Sequence, residues 1–387
     1  MSLPPDFTLL QVVPELETGG AEQSTIDVAQ AVVRAGGVAL VATRGGRMAA
    51  RLEADGGRLA QMPVQTKNPL TMLGNAARLV SLIRQENVSI VHARSRAPAF
   101  SALWAAHVTD TPFIATYHGV YKAQSGLKRW YNAVMTRGDL VIANSDYTRE
   151  HVIAEHKVDP ARLVTIPRGV DLARFDPTFT PPARVDALRA AWGIADGDHR
   201  TRILLAGRLT RIKGHLTIVN AARRLAAHGR RDFLILFAGD DQGRTGYAAE
   251  LQAAIDASGL ADSIKIVGHC DDMPAAYLLA DLAILPTTVP ESFGRAAVEP
   301  QAMGRPVIAS NHGGVTETIL DGVTGWLVAV DDAAAWADAI AAAIDLGPTK
   351  RQEMGEVGKK RARQLYSAEA MCAQTLAAYE RVLEARA

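Results

Sequence analysis

The sequence predicts an α/β protein of two domains, each built on a parallel β-sheet with helices on both faces. Short apolar runs alternate with segments of helical spacing through both halves of the chain, and this βαβ alternation is typical of parallel sheets. A length of 387 residues exceeds that of one ordinary domain and favours two. The halves share this architecture without a short sequence repeat.

The first half carries six predicted strands and two predicted helices. Apolar residues recur at helical spacing in residues 21–34 and 70–85, which predicts a helix in each segment. The apolar runs that predict strands are residues 7–13, 38–43, 89–92, 113–117, 140–144 and 164–166. Residues 175–182 hold three prolines and no periodicity, so we predict that they link the domains.

The second half repeats the alternation and ends in a helix. Strands are predicted at residues 203–206, 233–238, 264–267, 282–285, 306–309 and 326–328. Helices are predicted at residues 216–227, 248–257, 274–280, 293–303, 333–344 and 349–365. A final helix over residues 371–384 is expected to pack back on the first domain. The predicted domains are residues 1–175 together with 367–387, and residues 176–366.

Composition and charge predict a protein of the cytoplasm. Mean hydropathy is +0.02 and the longest apolar runs are far too short to span a membrane. The formal net charge of +1 gives no indication of a nucleic-acid partner. Two cysteines, Cys270 and Cys372, are too few for a disulfide framework. The first residues lack the basic and apolar regions of a secretory signal.

The stretch of residues 285–304 carries the strongest candidate site. A predicted strand ends at Pro286, a short loop follows, and a helix is predicted to begin near Ser292. This places Glu291 in the loop and Glu299 two turns inside the helix, where carboxylates can accept hydrogen bonds from paired hydroxyl groups. The free amides at the helix start, which can donate to a polar ligand, are those of Ser292, Phe293 and Gly294. The simpler alternative is one surface glutamate and one ordinary helix glutamate.

A second motif, residues 207–214, follows the predicted strand at 203–206. It begins with Gly207 and places Arg208 and Lys213 beyond the carboxyl end of that strand. A guanidinium fork and an ammonium point charge together suit a diphosphate. The alternative is a pair of solvated surface cations. The motif is not a Walker A loop, because the Gly-Lys-Ser/Thr ending is missing.

Three weaker motifs follow other predicted strands. The Thr18-Gly19-Gly20 turn precedes a helix and allows an anion to approach the backbone closely, although a plain tight turn explains it equally well. His118 is either a polar ligand contact or an ordinary turn residue. After the strand at 264–267, the backbone of Gly268 and His269 could hold a flat base.

A basic and aromatic set in the first half suggests contact with an anionic partner. Such a set can face anionic lipid or a phosphorylated acceptor, and the alternative is a solvated helix face. Its members are Arg94, Arg96, Lys122, Lys128, Arg129, Trp130 and Tyr131. No metal site is predicted, because the one Asp-x-Asp, residues 196–198, lies in a polar turn before a strand.

Together these motifs resemble the retaining GT-B glycosyltransferases of glycosyltransferase family four, over essentially the whole chain. The most specific match is Glu291-Ser292-Phe293-Gly294-Arg295-Ala296-Ala297-Val298-Glu299, and Gly207-Arg208-Leu209 with Lys213-Gly214 is the second. Pro167-Arg168-Gly169-Val170-Asp171, followed by Phe175, resembles the family's closing of its first domain. Many members have Asn where this chain has Arg168.

The resemblance implies roles for the motif residues. Gly19 and Gly20 would face donor phosphate or acceptor, and His118 would touch the donor sugar. Arg208 and Lys213 would hold the diphosphate without a metal. Glu291 and the amides of Phe293 and Gly294 would hold sugar hydroxyls, and Glu299 the ribose.

The implied reaction transfers a sugar from a UDP-sugar or GDP-mannose to an acceptor hydroxyl, with retention at the anomeric carbon. The implied acceptors are glycans or lipid-linked glycans of lipopolysaccharide, exopolysaccharide or glycolipid assembly, met in the cytoplasm or at the anionic inner face of the membrane. The expected fold places two Rossmann-like domains across a cleft. Alternatives are another GT-B sugar-nucleotide enzyme, such as an epimerase, or a two-lobed binding protein without catalysis.

Overall fold

The structure is a computed structural model that describes residues 3–17, 19–121, 123, 125–243 and 245–386. It divides into two compact units, residues 1–169 with 368–387 and residues 170–367. Each unit has its own parallel sheet and its own buried apolar core on both faces of that sheet. No helix among the described residues has the length and apolar character needed to cross a membrane.

The first unit is a seven-stranded parallel sheet with strand order β3-β2-β1-β4-β5-β6-β7. The strands are β1 Thr8–Val12, β2 Val38–Thr43, β3 Arg58–Gln61, β4 Ile90–Ala93, β5 Phe113–Tyr117, β6 Leu140–Ala143 and β7 Leu163–Thr165. The helices are α1 Gly20–Arg34, α2 Ala49–Ala54, α3 Pro69–Gln85, α4 Arg96–Thr109, α5 Gly126–Asn132 and α6 Asp146–His156. Every residue of β1, β4, β5 and β6 is buried, which is why these strands read as continuous apolar runs.

The second unit is a six-stranded parallel sheet with strand order β10-β9-β8-β11-β12-β13. The strands are β8 Thr201–Ala206, β9 Phe233–Ala238, β10 Ile264–Gly268, β11 Leu282–Leu285, β12 Val307–Ser310 and β13 Gly325–Val328. The helices are α7 Pro182–Ala191, α8 His215–Ala227, α9 Thr245–Ser258, α10 Met273–Leu279, α11 Arg295–Ala302, α12 Val315–Thr318, α13 Ala333–Asp345 and α14 Gly347–Leu365. Short 3₁₀ helices occupy Ala133–Thr136, Pro160–Arg162, Pro177–Phe179 and Arg211–Lys213.

The last helix, α15 Ala368–Glu384, belongs to the first unit. Tyr379 is its anchor: the ring stacks on Phe7 at 6.1 Å, and the hydroxyl lies 2.7 Å from Nδ1 of His92 in β4. Both partners are buried, so the contact joins the helix to the core. The prediction that the last helix packs on the first domain is confirmed.

The Pro-rich residues 175–182 pack inside the second unit rather than linking the units. Phe175 is 3 % exposed and contacts the ring of Tyr277 at 6.2 Å. Asp176 caps the 3₁₀ helix Pro177–Phe179 and pairs with Arg363 of α14. Proline at the first position of this 3₁₀ helix and of α7 favours helical backbone there, because its φ angle is already helical. The division between units lies earlier, at residues 169 and 170.

Candidate active site

Three loops meet at the carboxyl edge of the second sheet, where parallel sheets place their ligand sites. The Gly207 amide, just after β8, donates to the Ala238 carbonyl at 2.9 Å, and the Gly239 amide donates to the Gly268 carbonyl at 2.8 Å. A Cβ on Gly239 would lie 2.0 Å from the carbonyl oxygen of Gly207. Glycine therefore lets the backbones after β8, β9 and β10 approach more closely than any side chain would allow.

The loop that carries Lys213 is fixed against the loop after β11. Gly214 has a φ of 72°, and a Cβ there would lie 1.8 Å from the carbonyl oxygen of Pro286. The Thr288 amide donates to the Ile212 carbonyl at 3.0 Å. The two loops are thus in direct backbone contact, which places the residues before Gly214 beside those after Pro286.

Lys213 and Glu291 form an ion pair at this junction. Nζ of Lys213 donates to Oε1 of Glu291 at 2.6 Å, and the side chains are 16 % and 29 % exposed. The lysine stem crosses Gly207, since a Cβ on that glycine would lie 3.5 Å from Cδ and Cε of Lys213. The structure therefore brings together three residues that the sequence placed in two separate motifs. Side by side, the ammonium group can bind a phosphate and the carboxylate can accept a hydrogen bond from a hydroxyl group.

Arg208 has a looser position than Lys213. Its side chain is exposed, and Nη1 donates to Oε1 of Gln242 in the loop after β9 at 3.2 Å. This contact with a neutral amide leaves the guanidinium charge without a carboxylate at ion-pair distance among the described residues. Its role in holding a diphosphate stays a prediction.

The loop after β12 supports Glu291 from the other side. Gly314 donates its amide to the Glu291 carbonyl at 2.8 Å, and a Cβ on Gly313 would lie 2.5 Å from that same carbonyl oxygen. His312 precedes these glycines, with Nε2 3.3 Å from the Thr287 hydroxyl. Burial lowers the pKa of His312, although a hydrogen bond to the Thr287 backbone and the charge of Glu291 oppose that effect.

Helix α11 begins later than the sequence predicts. It runs from Arg295, with Gly294 as N-cap at a φ of 85°, rather than from residue 293 with Ser292 as cap. The left-handed backbone of Gly294 separates Phe293 from the helix, and the buried ring of Phe293 packs against Tyr366 at 5.5 Å. The amides of Phe293 and Gly294 donate no hydrogen bond to another described residue, so they are available to a ligand.

Glu299 lies inside α11 and is already held by two neighbours. Nη2 of Arg295 donates to its Oε1 at 2.9 Å, and the Tyr277 hydroxyl donates to Oε2 at 3.3 Å. Burial raises the pKa of Glu299, against the opposing effects of Arg295, Arg174 and Tyr277. Each carboxylate oxygen keeps a lone pair beyond these bonds, so the group can still accept from a diol. Its contact with ribose stays a prediction.

Gly268 and His269 lie at the end of β10 with unequal exposure. Gly268 adopts a φ of 77° and joins the row of glycines at the sheet edge. His269 is 61 % exposed, and its Nε2 lies 2.9 Å from the carboxylate of Asp271. The side chain of His269 therefore points to solvent, while the backbone of Gly268 is part of the edge.

In the first unit, the predicted glycines form the start of α1. Gly19 is the N-cap and Gly20 the first residue, and Thr18 lies outside the described residues. The Glu22 carboxylate folds back over this end: a Cβ on Gly19 would lie 2.1 Å from its Oε2. A carboxylate is stabilised at a helix N-terminus, so an anionic ligand at this end must displace or pass Glu22.

His118 follows β5 at the same edge of the first sheet. Its carbonyl accepts a hydrogen bond from Nη2 of Arg168 at 3.3 Å. Burial holds the pKa of His118 well below its usual range, and the charges of Arg168 and Arg94 lower it further. The imidazole is therefore neutral at neutral pH, which suits a hydrogen bond to a sugar hydroxyl.

Sequence reasoning missed the supporting residues of the second unit. These are Tyr277 and Arg295, which hold Glu299, and the loop of His312, Gly313 and Gly314. Two consecutive glycines shortly after an apolar strand were the available signal for that loop. Among the described residues, no group of three or more His, Cys, Asp or Glu side chains is arranged to hold a metal ion.

Comparison with known proteins identifies the family. Residues 18–174 match the model described as Glycosyltransferase Family 4, and residues 188–361 match that described as Glycosyl transferases group 1. A glycosyltransferase from Rickettsia africae ESF-5 is 33 % identical, with a TM-score of 0.90 over 98 % of this chain and 99 % of its own. The chain belongs to glycosyltransferase family four. It thus has the GT-B fold that the sequence motifs predicted.

Other relatives of this family-four chain are more distant or partial. The structure of Anabaena HepE in complex with UDP and glucose has a TM-score of 0.82 at 23 % identity, covering 96 % of this chain and 99 % of HepE, and shows the shared fold. D-inositol 3-phosphate glycosyltransferase of Mycobacterium sp. (strain KMS) is 35 % identical over 219 residues, or 56 % of this chain. That match covers 47 % of the relative, so the chain spans about half the length of the curated relatives it matches.

Proposed function

We propose that this chain is a retaining, metal-independent glycosyltransferase that moves a sugar from a nucleotide-diphosphate sugar to a hydroxyl group of a glycan or glycolipid. The observation that carries the proposal is the Lys213–Glu291 pair at the carboxyl edge of the second sheet, 2.6 Å apart and mostly buried. This pair offers one cation for phosphate and one carboxylate for sugar hydroxyls within the reach of a single nucleotide sugar.

Charge on the leaving group is the main difficulty of the reaction. When the bond from the sugar to the diphosphate breaks, negative charge develops on the departing phosphate oxygen. Lys213 meets that charge from a fixed position, because the contact of Gly214 with Pro286 sets the loop. Arg208 adds a second cation once it leaves Gln242. Preorganised charges of this kind lower the barrier without reorganising during the reaction.

The sugar would lie between Glu291 and the start of α11. The unpaired amides of Phe293 and Gly294 donate to hydroxyl oxygens, and the Glu291 carboxylate accepts from hydroxyl groups. These contacts orient the anomeric carbon toward the acceptor, which is the positional contribution to catalysis. The family's retention of configuration is consistent with attack on the same face that the phosphate leaves.

The ribose would lie against Glu299, and the base against the backbone of Gly268. HepE, which shares this fold, was solved with UDP and glucose, so a UDP-sugar is the first donor to test and GDP-mannose the second. WaaG, a glycosyltransferase involved in lipopolysaccharide biosynthesis, shares the fold at 16 % identity and a TM-score of 0.70. We propose an acceptor from lipopolysaccharide, exopolysaccharide or glycolipid assembly, met at the cytoplasmic face of the membrane.

A surface of the first unit supports the membrane part of this proposal. This surface is formed by α4 and α5, where the ring of Phe100 in α4 contacts the rings of Trp130 and Tyr131 in α5 at 5.6 and 5.1 Å. Leu127 is 78 % exposed and Trp130 54 %, and the guanidinium of Arg137 lies over the Trp130 ring at 5.1 Å. Exposed aliphatic and aromatic side chains with basic neighbours suit an anionic lipid surface. Lys122 of the predicted segment lies outside the described residues.

Vesicle sedimentation tests the membrane contact. Wild type should bind vesicles that contain anionic lipid more strongly than neutral ones, and Leu127→Glu should reduce that binding. Val323→Glu, at a 50 % exposed residue of the second unit, is the matched control and should bind like wild type. Equal binding to neutral and anionic vesicles, or binding to neither, would count against the contact.

A donor screen tests the catalytic proposal. The protein is incubated in EDTA with UDP-sugars or GDP-mannose and with candidate acceptors, and free nucleoside diphosphate is measured. Acceptor-dependent release is expected, and NMR of the new linkage should show the anomeric configuration of the donor. An epimerase would change the sugar without acceptor-dependent release, and a binding protein would change nothing. Inversion, or an absolute requirement for Mg²⁺, would contradict the proposal.

A further inference from the structure

Three arginines lie at the carboxyl edge of the first sheet, close to His118 or to Tyr121. Arg94 directly follows β4, Arg96 opens α4, and Arg168 follows β7. None of them belongs to the donor site described above, and the resemblance to the family assigns no role to Arg94 or Arg96. The carboxyl edge is also where ligands bind in open α/β sheets.

Arg94 is a buried cation held by a neutral group. Its side chain is 4 % exposed, and Nε and Nη2 both donate to the amide oxygen of Gln11, at 3.0 and 2.5 Å. Gln11 is fixed in turn by its bond to the Thr25 carbonyl at 2.9 Å. Burial lowers the pKa of Arg94, while Tyr379, Cys372 and Asp27 oppose that effect.

Arg96 is oriented by flat neighbours rather than by an acid. Its guanidinium carbon lies 3.8 Å from the centre of the Tyr121 ring, and Nη1 donates to the side-chain oxygen of Asn132 at 2.7 Å. Among the described residues, no carboxylate approaches Arg94 or Arg96 to ion-pair distance. Buried or half-buried guanidinium groups are normally neutralised by a carboxylate, so this pair is unusual.

Arg168 links the other two arginines, because its charge acts on His118 together with Arg94 and on Tyr121 together with Arg96. The charges of Arg94 and Arg168 both lower the pKa of His118, after the larger effect of burial. The charges of Arg96 and Arg168 both act on Tyr121, whose pKa burial raises. Because burial also keeps His92 and His118 neutral, the positive charge of this region is that of the arginines.

We propose that Arg94, Arg96 and Arg168 bind a phosphate group carried by the acceptor. A guanidinium fork matches two phosphate oxygens at once, and a phosphate would supply the negative charge that Arg94 and Arg96 lack. The inference rests on the proposed function, since it names the class of acceptor: a phosphorylated sugar in solution or the phosphate headgroup of a lipid. The Glu22 carboxylate lies over the start of α1 and disfavours phosphate binding at that helix end.

Binding is tested with the donor site filled by UDP, so that a phosphate probe cannot enter it. Ligand-observed NMR then measures sn-glycerol 3-phosphate against glycerol, and dihexanoyl phosphatidic acid against dihexanoylglycerol. Each phosphate probe should bind more tightly than its neutral match. Binding of glycerol phosphate would indicate a soluble acceptor, and binding of phosphatidic acid alone would indicate a lipid headgroup.

Variants assign the binding to the arginines. Arg96→Gln and Arg168→Asn should each weaken binding of the phosphate probe roughly 10- to 100-fold, which corresponds to the loss of one charge-assisted hydrogen bond. Both should bind UDP like wild type. Arg78→Gln, which removes an exposed arginine of α3, is the control and should leave phosphate binding unchanged. Arg94→Gln is a less direct test, because it also removes the two hydrogen bonds that Arg94 donates to the Gln11 side chain.

The outcomes separate this proposal from the proposed function. Phosphate and neutral probes of equal affinity in wild type, or Arg96→Gln and Arg168→Asn that bind phosphate like wild type, would overturn it. An equal loss in Arg78→Gln would show a general charge effect and overturn it too. Lys213→Ala, tested without UDP, should lose nucleotide binding and keep phosphate binding. If wild type fails to bind nucleotide, the proposed function falls and the phosphate site is judged by its own variants.

Discussion

Replacing Glu291 by glutamine should strengthen UDP binding and weaken sugar transfer. Nζ of Lys213 donates to Oε1 of Glu291 at 2.6 Å, so this carboxylate pairs with the cation that we assign to the diphosphate. UDP must share Lys213 with this carboxylate or displace it. Glutamine keeps an oxygen that accepts the lysine hydrogen bond but removes the charge that repels the diphosphate.

The size of the gain follows from the exposure of the pair. Two unit charges 4 Å apart interact by about 1 kcal/mol in water and about 4 kcal/mol at the effective dielectric near a protein surface. The lower value applies, because the Glu291 side chain is 29 % exposed and solvent screens it. A gain of about 1 kcal/mol corresponds to about five-fold tighter UDP binding. Loss of the charged acceptor for sugar hydroxyls should slow transfer roughly 10- to 100-fold.

Isothermal titration of UDP and a turnover assay at saturating donor measure the two effects. Glu250→Gln is the matched control: Glu250 also pairs with a cation of the β8 loop, Arg211, but both side chains are more exposed. That variant should leave UDP affinity and turnover unchanged. UDP that binds Glu291→Gln no more tightly than wild type would refute the competition for Lys213, and unchanged turnover would refute the contact with the sugar.

Three further predictions concern other parts of the second unit. Glu299→Ala should weaken UDP binding roughly 10-fold or more, because a buried hydrogen-bond acceptor is lost. If the variant and wild type bind UDP with equal affinity in a titration, Glu299 does not bind the ribose. Burial alone would raise the pKa of Asp176, but hydrogen bonds from Thr178 and Arg363 and the charge of Arg363 outweigh it and lower that pKa to about 2. The ionised Asp176 carboxylate therefore stabilises the fold above pH 3.8, and this stabilisation is lost as the pH falls toward 2. Asp176→Asn should therefore cost about 2 kcal/mol in urea unfolding at pH 7 and progressively less below pH 3.8; a pH-independent cost would contradict this. Gly214→Ala should lower the free energy of unfolding by several kcal/mol, and Gly229→Ala by about 1 kcal/mol. Both glycines have a positive φ, but only a Cβ on Gly214 would clash with the Pro286 carbonyl. Equal losses of stability would contradict this close approach.

The strands of both sheets could be read from the sequence because burial makes them apolar throughout. The prediction of residues 233–238 coincides with β9, and that of residues 282–285 with β11, and every residue of both strands is buried. By contrast, β3 was missed: its residues are only partly buried or exposed at the sheet edge, and they include Arg58 and Gln61. An edge strand has no second neighbour to bury it, so its sequence lacks the apolar run.

Helices with a weak apolar stripe were also missed. Helix α4 contains Pro98 and several buried alanines, among them Ala99, Ala102 and Ala105. The small alanine side chains let the helix pack closely on its neighbours. Alanine carries little apolar signal at helical spacing. The predicted start of α11 was wrong by two residues, because the left-handed backbone of Gly294 delays the helix and no local pattern marks that conformation.

The candidate site could be predicted as a set of motifs but not as a set of contacts. Residues 207–214 and 285–304 were identified separately, and the pairing of Lys213 with Glu291 depends on the adjacency of β8 and β11 in the sheet order. That order is set by long-range packing and leaves no local pattern. The same holds for Arg94, whose bond to Gln11 depends on the pairing of β4 with β1.

Titration of UDP in EDTA into wild type and Lys213→Ala tests the central claim most directly. Arg211→Ala, which removes a cation two residues away in the same 3₁₀ helix, is the control. Wild type and Arg211→Ala should bind UDP with equal affinity, and Lys213→Ala should bind it roughly 100-fold more weakly, because it loses a charge-assisted contact and leaves Glu291 unpaired beside the diphosphate. Equal affinity of Lys213→Ala and wild type would contradict the assignment of the diphosphate to this edge of the second sheet.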